Sequence, residues 1–333
     1  MAKNNNIDKS NMREVIIQSP DQLINGLDLA KNVKIEGQFK NIIICGLGGS
    51  ALPANIVASL IKIPTSLYIH RNYGLPTMAD KDSLVICISY SGNTEETLSA
   101  MEEATKNNYK IIAVATGGKI EEASKKNNIP FVKIPSGIQP RSATGYIFSV
   151  LATILTNCGI IEDVSAEILN TAEELKKLNG TLEKKGKALG KKLVKKIPIV
   201  YASDNFKAAA RIWKIKFNEN SKVPSFYNYF PELNHNEMVG FTGVKKSSNF
   251  AVIIIKDKND HERTLKRMDL TSSILKKKGV KTEFINTENG SLMLRFLSVL
   301  LLGDWTSYYL SINSKMDPTP VKMVEEFKEK MKA

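Results

Sequence analysis

Short β-rich apolar runs alternate with helical stretches along most of this 333-residue chain, and that alternation restricts the fold more than any other feature. The first half places such runs at 42–45, 66–70, 84–89, 110–115 and 131–134, with helical stretches at 51–61, 95–107 and 120–127 between them. Alternation of this kind predicts a parallel sheet with helices on both faces. The segment 144–158 reads as a buried helix, and 162–196 as a lysine- and glutamate-rich helical stretch with a break at Asn179-Gly180. The second half restarts the pattern, with strands at 197–202, 250–256 and 282–286 and helices at 205–217, 262–278 and 292–312. The expected fold class is therefore α/β, built as a divergent tandem pair. A last amphipathic helix follows Asp317-Pro318-Thr319-Pro320, where proline near the start fits helix geometry. The expected organisation is an N-terminal domain at 1–160, a helical connector at 161–196, a C-terminal domain at 197–315 and a terminal helix at 316–333.

Two strand-to-helix junctions carry chemistry. Gly46-Leu47-Gly48-Gly49-Ser50 and Ser89-Tyr90-Ser91-Gly92-Asn93-Thr94-Glu95-Glu96-Thr97 each follow an apolar run and each open a helix. Ligands of parallel sheets bind outside the carboxyl ends of the strands, where both segments lie. Small residues let the backbone approach an anion, and the free N–H groups of a helix start carry partial positive charge. Ser89, Ser91 and Thr94 add hydroxyl donors from one turn. Helix N-capping explains one hydroxyl but not three around Gly92. Gly48, Gly49 and Ser50 suit a tight turn and a close backbone approach to a ligand alike. Glu95 and Glu96 suit the helix dipole and are assigned no chemistry. Gly-x-x-x-x-Gly-Lys is absent, so this is not a nucleotide P-loop. The ligand implied is a small phosphate ester.

The net charge of +13, from 47 basic and 34 acidic residues, invites a nucleic-acid partner. Only seven of the basic residues are arginine, the residue that base readout favours, and the lysines fall in pairs on polar helix faces. No helix-turn-helix, finger or aromatic RNA-binding motif accompanies them, so no nucleic-acid partner is expected. The positive field suits an anionic substrate. No apolar stretch approaches the ~20 residues of a membrane span. Residues 292–302 come nearest and are interrupted by Arg295, and the N-terminus lacks a signal-peptide apolar segment, so a cytoplasmic location with no membrane partner is expected. Cys45, Cys87 and Cys158 form no Cys-x-x-Cys and read as small core residues. Neither His-x-His nor His-Glu-x-x-His occurs, and His235 and Glu237 stand too isolated for a ligand set, so neither a metal nor another cofactor is expected.

The two junction motifs resemble those of the sugar-isomerase (SIS) fold. Further along come Gln139-Pro140-Arg141-Ser142-Ala143-Thr144-Gly145-Tyr146, Trp213-Lys214, Asn218-Glu219-Asn220-Ser221-Lys222, Phe230-Pro231-Glu232-Leu233-Asn234-His235-Asn236-Glu237 and Asp317-Pro318-Thr319-Pro320-Val321. As an ordered set covering roughly residues 20 to 330, these are similar to the archaeal-type bifunctional phosphoglucose/phosphomannose isomerases. The resemblance implies two tandem SIS domains, metal-free aldose–ketose isomerisation of a hexose 6-phosphate through a cis-enediol, and a homodimer with shared active sites. It implies phosphate binding by Ser89, Ser91 and Thr94, and substrate contact by Gly48, Gly49 and Ser50. Arg141 is then expected to face the reacting carbons and stabilise an enediolate oxygen. Glu219 matches the family's base, which moves a proton between neighbouring carbons. His235, expected to enter from the partner subunit, suits ring opening near neutral pH. Lys328 best matches the C-terminal lysine, with Lys322 and Lys330 on the same helix. Thr319 is expected near the pocket, where a small side chain leaves room beside C2 for both epimers. Two other readings remain: a non-catalytic sugar-phosphate sensor, and an isomerase of another sugar phosphate.

Overall fold

A computed structural model describes residues 7–244 and 247–331. In chain order its elements are α1 (Met12–Ile17), α2 (Ser19–Leu29), β1 (Asn41–Cys45), α3 (Leu52–Leu60), β2 (Ser66–His70), β3 (Ser83–Ser89), α4 (Glu95–Lys106), β4 (Lys110–Ala115), α5 (Gly118–Lys126), β5 (Phe131–Lys133), α6 (Thr144–Asn157) and α7 (Ser165–Lys192). There follow β6 (Ile197–Ser203), α8 (Lys207–Glu219), β7 (Phe226–Phe230), β8 (Phe250–Lys256), α9 (Glu262–Lys277), β9 (Lys281–Asn286), α10 (Leu292–Asn313) and α11 (Lys322–Met331). They form two compact units, one of Gln18–Lys176 and one of the described residues in Met1–Ile17 and Lys177–Ala333.

The unit of residues 18–176 holds a five-stranded parallel sheet in the order β2-β1-β3-β4-β5. Every residue of β3 is buried, as a central parallel strand covered by helices on both faces requires. The edge strand β2 instead alternates exposed and half-buried residues before ending at buried His70. From β1 the chain passes to β2 on one side and then to β3 on the other, so the sheet's switch point lies between β1 and β3. Cys45 pairs in register with Cys87 across that boundary. The Cys45 thiol, together with burial, pushes the Cys87 thiol well above the usual thiol range. Both act as small core residues.

The other unit repeats the plan with four parallel strands in the order β7-β6-β8-β9. The sequence pattern missed β7, because Phe226-Tyr227-Asn228-Tyr229-Phe230 is an edge strand whose aromatic residues show no alternation. Phe226 and Tyr227 remain exposed on it. Helix α8 runs two residues past the expected end, which makes Glu219 its last residue. The apolar run 292–302 belongs to α10, buried almost all round as a core helix is. Among the described residues, no helix is long and apolar enough to cross a membrane.

The break expected at Asn179-Gly180 does not occur, for α7 is continuous through it. Asn179 finds partners that make a helical conformation stable there: its Nδ2 donates to the Ile17 carbonyl at 3.0 Å, and its Oδ1 accepts from Trp305 Nε1 at 2.8 Å. Further along, Gly186 and Gly190 let α7 press against α10. A Cβ on Gly186 would lie 2.4 Å from the Cβ of Trp305, and one on Gly190 would lie 2.8 Å from the Leu310 nitrogen. Gly180 has open space around the same position.

Alanine at these glycines is therefore expected to act with opposite signs. Gly186→Ala overpacks the contact with Trp305 and should lower stability by about 1–3 kcal/mol. Gly180→Ala gains helix propensity without a clash and should raise it by about 0.5–1 kcal/mol. Urea unfolding of both variants measures the difference.

Candidate active site

The switch point of the first sheet gathers seven of the sequence-derived residues. After β1 the chain turns through Gly48, where φ is +50°, into a short 3-10 turn at Gly48–Ala51 that leads into α3. Ser50 is buried and its Oγ accepts from the Tyr90 amide at 3.0 Å, which ties this turn to the one after β3. Gly49 lies flat against the 3-10 turn Pro140–Ser142, since a Cβ on it would come 2.6 Å from the Arg141 nitrogen. Arg141 is 1% exposed, so it is no surface ion-pairing residue. Its Nη1 donates to Gln139 Oε1 at 3.4 Å. Tyr90 braces the same loop: its hydroxyl donates to the Pro135 carbonyl and accepts from the Ile138 amide, both at 3.2 Å.

The turn after β3 is built around the Ser89 hydroxyl. Ser89 is fully buried, and its Oγ accepts from the amides of Gly92 at 3.1 Å and Thr94 at 3.4 Å. Thr94 stands at the N-cap of α4, yet its hydroxyl meets Ser89 Oγ at 2.8 Å and makes no cap to the helix. Helix capping therefore does not account for the Thr94 hydroxyl. Ser91 is exposed at the tip, where its Oγ accepts from the Asn93 amide at 3.3 Å. Gly92 is required twice over: its φ is +71°, and a Cβ would sit 1.7 Å from the Gly117 carbonyl oxygen. A buried guanidinium, glycine turns and hydroxyls at the carboxyl edge of a parallel sheet make a setting for an anionic ligand.

The matching switch point of the second sheet, between β6 and β8, has the opposite character. Asp257 is 2% exposed and accepts from Arg295 Nε at 2.9 Å. Asp260 is buried beside it, and burial raises its carboxyl above the usual range. Carboxylates there repel a phosphate, and the nearby cation is already engaged.

The sequence-derived residues of this unit lie elsewhere, at the end of α8, in the loop after β7 and in the stretch from Thr319 through α11. Glu219 is half-buried at the C-terminal end of α8, which is anchored to α10 by four contacts. Trp213 Nε1 donates to the Val299 carbonyl at 2.9 Å, and Lys216 Nζ pairs with Asp304 at 2.5 Å in a nearly buried ion pair. Asn220 Nδ2 donates to Ser307 Oγ at 3.0 Å, and Ser221 Oγ to the Ser307 carbonyl at 2.7 Å. His235 is exposed in the loop after β7. That loop is held from below by Glu237, whose carboxylate accepts from Tyr201 Oη on β6 at 2.6 Å and from Asn228 Nδ2 on β7. Burial, with the Glu237 carboxylate, drives the Tyr201 phenol far above its ordinary range, so it stays a donor. Thr319 is buried, whereas Lys322, Lys328 and Lys330 are exposed on α11.

The remaining histidines are structural. His70 is buried with Nε2 3.4 Å from the Tyr73 carbonyl, and His261 caps α9 by accepting the Arg263 amide on Nδ1. Among the described residues, no group of three or more His, Cys, Asp or Glu side chains is placed to hold a metal ion. Sequence reasoning missed the supports: Lys216, Asp304, Tyr201 and Glu237. Lys216 and Glu237 each lie within three residues of a candidate, but which charge is buried cannot be read from spacing.

Two domain families match the chain. One, described as a SIS domain, covers residues 37–131, and another, the bacterial phospho-glucose isomerase C-terminal SIS domain, covers residues 182–331. Among curated proteins, a bifunctional phosphoglucose/phosphomannose isomerase of Caldicellulosiruptor bescii is 37% identical, with 96% of this chain and 98% of that protein aligned. One of Aquifex aeolicus is 34% identical over 92% and 93%. Among solved structures, a hypothetical protein from Thermus thermophilus shares the fold at a TM-score of 0.70 and 13% identity, covering 96% of this chain and 90% of its own.

Gly92→Ala is expected to disrupt the turn after β3, because backbone and not a flexible side chain blocks the added methyl. The cost should exceed about 2 kcal/mol, combining a left-handed conformation with overpacking. Thermal or urea denaturation reads it, and Ser91→Ala at the exposed tip should stay within about 0.5 kcal/mol of the parent.

Proposed function

The chain belongs to the family of bifunctional phosphoglucose/phosphomannose isomerases, and from that membership we propose that it interconverts glucose 6-phosphate and mannose 6-phosphate with fructose 6-phosphate. The observation that carries this reading is the ordered presence, in a chain 37% identical to such an isomerase, of an anion-suited turn after β3 and a half-buried glutamate at the end of α8.

In this mechanism the phosphate is held at the turn of Ser89, Ser91 and Thr94, which fixes the sugar's charged end. Gly48, Gly49 and Ser50 approach the sugar hydroxyls with backbone and a small side chain. His235 moves a proton between ring oxygen and anomeric hydroxyl as the ring opens, with Lys328 assisting at a sugar oxygen. Glu219 then takes the proton from C2 of the aldose, giving a planar cis-enediolate, and returns it to C1 while the hydroxyl proton passes from O2 to O1, which makes the ketose. Arg141 stabilises the negative charge that develops on the enediolate oxygen. The enediol is planar at C2 and keeps no memory of its configuration, so both epimers give the same ketose. No step calls for a metal or other cofactor.

Arg141 is buried in the first unit, and His235 is exposed on a loop beside an edge strand with exposed Phe226 and Tyr227. An exposed imidazole and exposed aromatics are what a subunit interface uses, which supports a homodimer in which His235 serves the partner's site. A cytoplasmic sugar-phosphate enzyme is the setting in which this chemistry belongs.

Purified protein should convert both glucose 6-phosphate and mannose 6-phosphate to fructose 6-phosphate in a coupled assay, with glucosamine 6-phosphate as the competing substrate. Glu219→Gln should lower kcat by at least about 10³-fold, near the span of general acid–base catalysis, and abolish exchange of the C2 proton with deuterated solvent. Binding of sugar phosphate by calorimetry should persist. Retained exchange in that variant removes Glu219 from the mechanism, and tight binding without turnover by the parent protein makes it a sensor.

A further inference from the structure

Three residues beyond Glu219 the chain makes an unusual turn. Lys222 has φ +57°, a left-handed conformation that L-residues other than Asn and Asp seldom adopt. The turn brings its side chain back over the end of α8. There Nζ donates to the carbonyls of Glu219 at 2.7 Å and Asn220 at 3.3 Å. Carbonyls at a helix C-terminus lack helical partners and form the negative pole of its dipole, so a cation there is favoured. A third acceptor comes from far along the chain: the Pro318 carbonyl, at 2.9 Å. An ammonium has three protons, and these three carbonyls match them.

Pro318 is buried and lies in the segment Asp317-Pro318-Thr319-Pro320. The Thr319 amide donates to Asp317 Oδ1 at 3.0 Å, which fixes the local turn. Beyond it α11 has no buried residue, so what precedes that helix must set where it starts. Lys222 is thus a link between the turn that presents Glu219 and the segment that presents Thr319 and leads to α11.

We infer that Lys222 is a positioning residue, an ammonium clamp that holds the C-terminal segment in register with Glu219, because one cation bonds the Glu219 and Pro318 carbonyls together. The inference rests on the proposed role of Glu219 as the base. A carboxylate shared between two carbons tolerates little displacement of the groups that hold the sugar. Losing the clamp should therefore affect turnover more than affinity, since the phosphate grip lies on other elements.

The test uses full-length Lys222→Met, Lys222→Gly and Lys222→Arg. The glycine variant removes the ammonium while easing the left-handed backbone, so it stays folded where methionine keeps the strain. In both the Met and Gly variants kcat toward glucose 6-phosphate should fall by about tenfold to a hundredfold, with KM within about threefold of the parent. Lys222→Arg, which keeps a cation with several donors, should recover most of the rate, and added n-butylammonium should partly restore Lys222→Gly. Hydrogen exchange at 316–331 should accelerate in the Gly variant while β6 and β8 keep their protection. Parent-like kcat in folded Lys222→Gly overturns the clamp, as does a loss that neither arginine nor the amine recovers, or unchanged exchange at 316–331. Activity surviving in Glu219→Gln instead overturns the assignment of the base, whatever the Lys222 variants show.

Discussion

A parallel strand must hand its chain to a crossover at its carboxyl end, and the rest of this molecule depends on that constraint. Where β1 and β3 lie side by side with the chain leaving in opposite directions, two crossovers diverge and leave a gap at the edge of the sheet. Into it fall the glycine turn after β1, the Ser89 turn after β3 and buried Arg141. The Ser50–Tyr90 hydrogen bond and the flat contact between Gly49 and Arg141 make these one rigid constellation.

The second unit inherits the topology but not the chemistry. At its own switch point Asp257 and Arg295 satisfy one another, with buried Asp260 alongside. The base proposed for this unit stands at the opposite end of the next helix, where α8 finishes. The Trp213 indole in mid-helix, a nearly buried ion pair at Lys216 and two hydrogen bonds from the residues just after the helix fix α8 to α10. A buried ion pair is weak evidence for stability, but here it ties two elements through one contact at 2.5 Å. The proposed base thus sits at the end of an anchored helix, whereas His235 rides on a loop pinned by the Glu237 carboxylate between Tyr201 and Asn228 and by Asn234, whose Nδ2 donates to Thr271 Oγ1 at 2.8 Å.

Much of the architecture was legible because parallel strands buried on both faces write continuous apolar runs, as in β1, β3, β4 and β8. The edge strand β7 was not, for exposed aromatics follow neither period. The continuity of α7 was hidden because Asn179-Gly180 reads locally as a break, while the Ile17 and Trp305 partners that satisfy Asn179 are distant in sequence. At the site, the hydroxyls and glycines of the two turns could be chosen from spacing alone. Glu219 could not, since a glutamate at a helix end is ordinarily solvated, and likeness to a family singled it out.

The sequence by itself determined the α/β class, the repetition of the unit and the positions of the glycine- and hydroxyl-rich strand-to-helix turns. Each of these follows from local patterns, namely side-chain period and the residues a strand-to-helix turn tolerates. Only the tertiary structure decided that Arg141 is buried against Gly49, that α7 does not break, and that Lys222 joins Glu219 to Pro318. Those outcomes depend on groups as much as 162 residues apart meeting at hydrogen-bond or van der Waals distance, and no local pattern encodes which of many lysines or arginines will lose its water.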